Sequence, residues 1–514
     1  MTLLYTRFLF ASAALFATLA GCGGSGGTAA PTPPVVVDNS GVRGSLIRNP
    51  PDGVLSLDTA GVQSRINQFG DFGTRLSAVA GAPACGVDIL HFEYATVGAA
   101  GEQTTASGAL MVPTGSAATC TGARPIVMYA HGFSEVKSTN MADTTPQAPY
   151  GTESIELAAM YAAQGWIVVA PNYAGYDTST LTYHPHHIAD QQSKDMIDAL
   201  SAARKAFANL AHPVTDNGKL FLTGHSEGGY VTMATLRAMQ QAGIAVTAAA
   251  PSSGQYAASV GYEAEFGTPG ALDDLSGIAP NDILQYVVQF TAWQKADGDF
   301  YQTPSDIYPD AYAATMETLA PNDVPAATLI ATGKLPAFVL ADDEPFYPGL
   351  TAAEKAYFGS PGQSLVKTAF LQAIIADIAA HPCPVTSTTE PLACTHTNTA
   401  REAWFKNDLR TWTPAMPLLM CGGHGDSEVP FFNTQLTYAY FQSHGLAANS
   451  ANVLDVDSPA TANDPYTLAK AIFVEAEQAV VASGGDPTAE DTYHGVMVSL
   501  ACQVAGRDFF KTFQ

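Results

Sequence analysis

From Asp88 to Gly254 the sequence switches repeatedly between two periods, and this limits the open folds more than any other feature. Short, continuously apolar runs begin at Pro125 ("PIVMYA"), Trp166 ("WIVVAPN"), Lys219 ("KLFLTG") and Ile244 ("IAVTAAAPSSG"). Between them lie helical patterns, "IELAAMYAAQG", "DMIDALSAARKAFANL" and "GYVTMATLRAMQQAG". In the first of these Leu157, Met160 and Tyr161 fall near one face, and Gly165 is the natural stop. Upstream, "DILHFEYATV" and "TTASGALMVPTG" read as two strands joined by the Gly-rich "GAAGEQ". An apolar run without alternation fits a strand covered on both faces. Strands alternating with helices predict an α/β fold, a mostly parallel sheet with helices on both sides. Ligands of such sheets gather at the carboxyl ends of the strands.

The alternation breaks between Gln255 and Trp412, where helical patterns dominate: "NDILQYVVQFTAWQKA", "DAYAATMETLA" and "LVKTAFLQAIIADIAAH". Buried strands return at "MPLLMCGG" and "ANVLDVDS". A stretch of that length is too long for a structureless loop. It is expected to be a helical cap inserted between two sheet strands. The resulting division is core over 51–254, cap or lid over 255–412 and core again over 413–514. Tyr286, Phe290, Trp293, Phe338, Phe346, Tyr347 and Phe358 make this insertion aromatic. Packing between cap and body accounts for most of them. An apolar acyl pocket would use the same residue types.

One strand of the alternating region ends at a serine. "FLTGHSEGGYVT" sets Ser226 between Gly224 and Gly228, after a buried strand and before a helix. A glycine-punctuated turn with a chance serine would read the same over five residues. In this setting Gly-x-Ser-x-Gly is a nucleophile elbow, in which the glycines allow a tight bend that exposes the hydroxyl. A serine hydroxyl is a poor nucleophile near neutral pH and needs a base. His494, in "EDTYHGVMVSLACQVAGRDFF", is expected on a loop before a helix, where it would take the serine proton. Asp426, in "CGGHGDSEVP", would hold the imidazole. Glu428 is a substitute for that acid. Asp491 lies too near His494 in sequence, and His424 precedes the acid and reads as a turn residue. "YHPHH" supplies His184, His186 and His187, which with Asp190 could make a metal set. Histidines lining the site mouth or satisfied by backbone are the simpler reading, and no metal is expected.

These residues resemble the α/β-hydrolase fold esterases and lipases from about Asp88 to the end. The chain is most similar to the secretory lipase family, which includes fungal lipase A-type enzymes. The stretches that carry the resemblance are "FEYATVGAAGEQTTASGALMVP", "VMYAHG", "VVAPNYAGYD", "YHPHHIADQQSKDMIDALSAAR", "GHSEGG" and "GDSEVP". It implies ester hydrolysis through an acyl-enzyme, with Ser226, Asp426 and His494 as the triad and no cofactor. It also implies an oxyanion hole from the Glu227 amide and from the His-Gly turn of "YAHGFS", through the amide of Phe133. The small-molecule or lipid ester is expected to be apolar. Glu227 departs from the small residue frequent at that position. A serine peptidase of aminopeptidase type on the same fold would instead use acidic cap residues to read an amine, and "LADDEPF" is a candidate. A catalytically silent surface binding protein is the reading from another class.

The ends of the chain bear on location. Arg7 and the apolar stretch Phe8–Ala20 suit a signal peptide over 1–21, too short to span a bilayer comfortably. "LAGC" resembles the lipobox of bacterial lipoproteins, with Cys22 the lipidated residue, and a flexible tether follows over 22–50. An exported lipoprotein anchored in a bacterial membrane, outer membrane or cell surface, is expected, with release to the exterior as the variant. Cys85, Cys120, Cys383, Cys394, Cys421 and Cys502 remain, an even number that suggests disulfides. Sequence neighbours are the expected partners: Cys85–Cys120, Cys383–Cys394 and Cys421–Cys502. With 47 acidic against 22 basic residues and a net charge of −25, the chain lacks the basic clusters that nucleic acid binding needs.

Overall fold

The computed structural model describes residues 35–267, 280–341, 358–360 and 362–514. The signal peptide, Cys22, most of the tether, and the Asp342–Phe346 stretch with Tyr347 lie outside the described residues. Nine strands form one sheet. In chain order they are β1 (Asp52–Leu57), β2 (Gly86–Val97), β3 (Gln103–Thr114), β4 (Gly122–Ala130), β5 (Ile167–Pro171), β6 (Val214–His225), β7 (Ala248–Ser252), β8 (Leu418–Gly422) and β9 (Ala451–Asp455). Across the sheet the order is β9-β8-β7-β6-β4-β5-β3-β2-β1. The first three strands pair antiparallel, and every pair from β5–β4 to β8–β9 is parallel.

The apolar runs are continuous because both faces of the parallel strands are covered. Side chains of a strand alternate in direction. Ile126 and Met128 of β4 therefore enter one core, with Leu220 and Leu222 of β6. Val127 and Tyr129 enter the other, with Phe221 and Val168. Helices α1 (Gly151–Met160), α2 (Ala189–Ala206) and α3 (Glu227–Gln241) cover these faces. The second half of α1 is buried all round rather than on one face, from Ser154 to Met160. It is packed by the helices Thr59–Asn67 and Gly70–Ala80 as well as by the sheet. Those two helices and β1 carried no signal in the sequence reading.

The tether is shorter than its sequence suggested. Residues 38–49 join the body: Gly44 and Ile47 donate to the Ala95 and Glu93 carbonyls, Leu46 is buried, and Arg43 pairs with Asp198 at 2.9 Å. Backbone pairing along β2 outweighs the local Gly/Pro-rich composition.

Between β7 and β8 the chain forms helices α4 (Ala258–Gly267), α5 (Pro280–Asp297), α6 (Thr368–Ala380) and α7 (Thr399–Lys406). They share a core of Tyr262, Phe266, Phe290, Trp293 and Trp404. The buried Arg401 of α7 bonds Glu263 of α4 at 2.6 Å and Asp377 of α6 at 2.7 Å. Phe290, Trp293 and Phe358 are interior, Tyr286 and Phe338 only partly so. The stretch "DAYAATMETLA" is not a helix; it holds turns and the 3-10 segment Met316–Thr318. Eleven residues between Pro309 and Pro321 are too few for a stable helix unless a whole face is buried. Met316 and Ala320 are its main apolar anchors.

Disulfides join Cys85 to Cys120, Cys383 to Cys394 and Cys421 to Cys502. The last ties β8 to the C-terminal helix α8 (Ser499–Lys511) across 81 residues. Replacing both cysteines, C421A/C502A, is expected to lower stability by about 2–5 kcal/mol, read as a fall in Tm that reductant does not deepen through this bond.

Candidate active site

Ser226 sits on the bend between β6 and α3 with φ 59° and ψ −127°. Side chains avoid that region, and the surrounding packing enforces it. A Cβ on Gly224 would lie 2.4 Å from the Ala130 carbonyl oxygen, and one on Gly228 only 1.9 Å from it. Both glycines are therefore required by the close passage of the bend over the end of β4. The turn after β4 meets the same point, since a Cβ on Gly132 would stand 3.5 Å from the Ser226 Cβ. Helix α3 begins at Glu227, so its first amides open beside the serine.

His494 lies within a π-helical segment, Thr492–Val498, that runs into α8, rather than on a loop. Wider turns of this kind are uncommon and often occur at functional sites. His494 Nδ1 is 2.8 Å from Asp426 Oδ2, and both residues are buried. The other Asp426 oxygen accepts from the Val429 amide at 2.9 Å. A carboxylate acceptor puts the proton of the neutral ring on Nδ1 and leaves Nε2 as the free lone pair. His494 Nε2 is buried with no protein hydrogen bond, and Glu428 Oε2 is 3.8 Å away. Glu428 thus faces the other edge of the ring and does not replace Asp426. His225, next to the serine, reaches the His494 carbonyl through Nε2 at 3.0 Å. This hydrogen bond draws Ser226 and His494 into one neighbourhood across 269 residues of chain.

The charges around the ring set its protonation. Burial opposes the His494 imidazolium, but Asp426 and then Glu428 outweigh it and raise its pKa well above the ordinary histidine range. Burial raises the Glu428 carboxyl, against the pull of His494. Burial, followed by the charge of His494, lowers His225 far below its usual value, so that ring is neutral.

Three tyrosines hold the turn after β4. Tyr173 Oη donates to the His131 carbonyl at 2.9 Å and Tyr176 Oη to that of Ser134 at 2.6 Å. The Tyr150 hydroxyl engages the carbonyls of Gly132 and Phe133. Phe133 is half-buried against the inserted helices. Only the His-Gly pair was visible in the sequence; "NYAGYD" contained two of the tyrosines without revealing their targets.

In the His184–His187 loop, His184 Nδ1 meets the Ala174 backbone carbonyl at 3.0 Å. All three histidines are buried, with Glu227 among them. Asp190 is exposed and pairs with Lys194 instead. His184 Nε2 is 2.6 Å from Glu227 Oε1, His186 Nδ1 is 3.1 Å from it, and the Gln192 amide donates to it at 2.5 Å. Burial raises the Glu227 carboxyl, but His186 and His184 outweigh it and hold it well below the usual carboxylate range. Among the described residues, His184, His186 and Glu227 alone bring three ligand-type atoms within 4.8 Å of one another. The 2.6 Å contact has the length of a hydrogen bond between the His184 ring and the Glu227 carboxylate. His424 is exposed at the end of β8 and bonds Asp455 at 2.9 Å, which raises its pKa.

Gly228→Ala is expected to cost about 1–3 kcal/mol, read by thermal melting, because the methyl group and the Ala130 oxygen cannot both keep their places.

Comparison with known proteins agrees with this architecture. Residues 154–262 match the prolyl oligopeptidase family. No curated protein matches the chain. The rice cell wall degrading esterase LipA from Xanthomonas oryzae is similar in structure, with 24% identity, a TM-score of 0.61, and 86% of this chain and 98% of that one covered. A Legionella pneumophila protein assigned as a hydrolase matches at 17% identity and a TM-score of 0.60, over 90% of this chain and 96% of its own. Candida antarctica lipase A aligns at 13% identity with a TM-score of 0.44, over 90% of each chain. Sheet order, the bend at Ser226 and the likeness to the esterase LipA together show that this chain has the α/β-hydrolase fold.

Proposed function

We propose that the chain is a serine carboxylic ester hydrolase acting through an acyl-enzyme on Ser226. The observation that carries the reading is the buried His494–Asp426 pair, 2.8 Å apart, with Nε2 left without a protein partner and the His494 carbonyl bonded to His225, the residue before the strained serine. Ser226 Oγ attacks the ester carbonyl while His494 Nε2 takes its proton. Asp426 stabilises the resulting imidazolium. The amides of Glu227 and Phe133 receive the oxyanion. The intermediate collapses, the alcohol leaves with the proton returned by His494, and water repeats the sequence to free the acid. The aromatic insertion supports an apolar acyl group, because Phe133 lies between its core and the elbow.

The match to the prolyl oligopeptidase family favours a second reading, a serine peptidase, in which the proton from His494 goes to a leaving amine. The three disulfides support an exported protein. The "LAGC" sequence supports a lipid at Cys22 holding it to a membrane. No helix among the described residues is long and apolar enough to cross one.

Ser226→Ala is expected to abolish p-nitrophenyl ester turnover while Tm stays near that of the wild type; full activity in that variant would end the proposal. Esters tested beside peptide amides separate the two enzymes. Organophosphate labelling mapped to Ser226 separates both from a silent binding protein. The pH profile reports the base. His494 acts when unprotonated, and the Glu428 charge favours its protonated form. Glu428→Gln is therefore expected to move the acid limb of kcat/KM to lower pH; an unmoved or raised limb contradicts the assignment of His494.

A further inference from the structure

A carboxylate in the first turn of a helix can stabilise the helix dipole from the surface without being desolvated. Glu227 is instead 2% exposed, and a buried charge needs partners or it destabilises the fold. Its partners are specific. His184 Nδ1 lies 3.0 Å from the Ala174 carbonyl, which can only accept, so that nitrogen carries a proton and Nε2 is the atom left to meet Glu227. Gln192 donates to the same carboxylate oxygen from α2. His186 approaches it through Nδ1, and its ring stands edge-on to the Phe133 ring at 5.3 Å. The backbones of Glu227 and Phe133 are the two oxyanion donors of the proposed mechanism. Their side chains meet at one histidine loop.

That loop also reaches the insertion. His187 stacks on His186 at 4.0 Å, and its Nδ1 contacts the Tyr262 hydroxyl of α4 at 2.5 Å. Gln285 and Gln289 of α5 contact His186 and His187 at 3.4 and 3.1 Å. The cluster therefore joins the elbow, the turn after β4 and the inserted helices.

We propose that Glu227 is a positioning residue: its carboxylate, held by hydrogen bonds from His184 and Gln192 with the His186 ring 3.1 Å away, fixes the direction of its own backbone amide, while the same histidine loop braces Phe133, so that one buried cluster sets the spacing of both oxyanion donors. This rests on the esterase reading. Donors must stand about 2.7–3.1 Å from the position the developing charge will take, held to within about 0.5 Å. A side chain that can rotate freely would not hold its amide that closely.

The test uses the full chain and p-nitrophenyl butyrate. In E227A and H184A, kcat is expected to fall by about 10- to 100-fold with KM within about threefold, short of the full effect of losing a donor. E227Q, which keeps the hydrogen bonds without the charge, is expected to recover most of what E227A loses. H184A leaves a carboxylate buried without its main partner. Should it fail to fold, E227A/H184A takes its place under the same criterion. A folded E227A with kcat within threefold of wild type, a rise in KM at constant kcat, or an E227Q as impaired as E227A overturns the proposal. A wild-type chain inactive on every ester and amide sinks the functional reading and this one together. An active wild type with an unimpaired E227A sinks this one alone.

Discussion

The close approach of α3 to the end of β4 is the constraint on which the rest depends. Ala130 ends the central strand, and its carbonyl oxygen occupies the space that side chains at 224 and 228 would need. Two glycines let the bend cross it, and the bend forces Ser226 to a positive φ. The strain is maintained because the end of β6, Phe221–Gly224, is held between two parallel neighbours. A serine held so cannot relax into a regular helix cap, and its hydroxyl stays at the carboxyl edge of the sheet. The turn that follows β4 is then necessarily its neighbour.

Around that point the protein manages charge by burial and pairing. One acid, Asp426, backs the imidazole, and another, Glu428, faces its opposite edge. Both favour the imidazolium, the form in which a general base passes through its transition state. A third acid, Glu227, lies behind the elbow and would oppose an oxyanion if left bare. His184 and His186 meet it there, at 2.6 and 3.1 Å. The disulfide from Cys421 to Cys502 links the strand before Asp426 to the helix after His494. It spans the two segments whose register the acid–imidazole contact depends on.

The insertion follows the same economy of contacts. Its helices are joined by Arg401, which satisfies carboxylates from two others, and by a contiguous aromatic core. Its contacts with the body include Phe133, the histidine loop and the Asn407 side chain and backbone, which bond Ala189 and Tyr230.

Much of this was legible in the sequence because burial on two faces leaves a local trace. "PIVMYA" and "KLFLTG" are apolar without alternation, which only a covered strand tolerates, and the Gly-Ser-Gly spacing marks a bend whatever surrounds it. The order of serine, acid and histidine along the chain was visible as well. Other features left no local trace. Residues 38–49 read as tether until their backbone met β2, and "DAYAATMETLA" read as helix until packing gave it only two firm apolar anchors. The π-helical setting of His494 and the partner of His184 belong to the same class. Sequence alone determined which residues are candidates for chemistry and which segments must be buried, since those depend on side-chain type and period. Only the tertiary structure decided that Glu227, not Asp190, joins the histidines, because a contact between residues 43 positions apart is set by how α2 and α3 pack, and no local pattern records it.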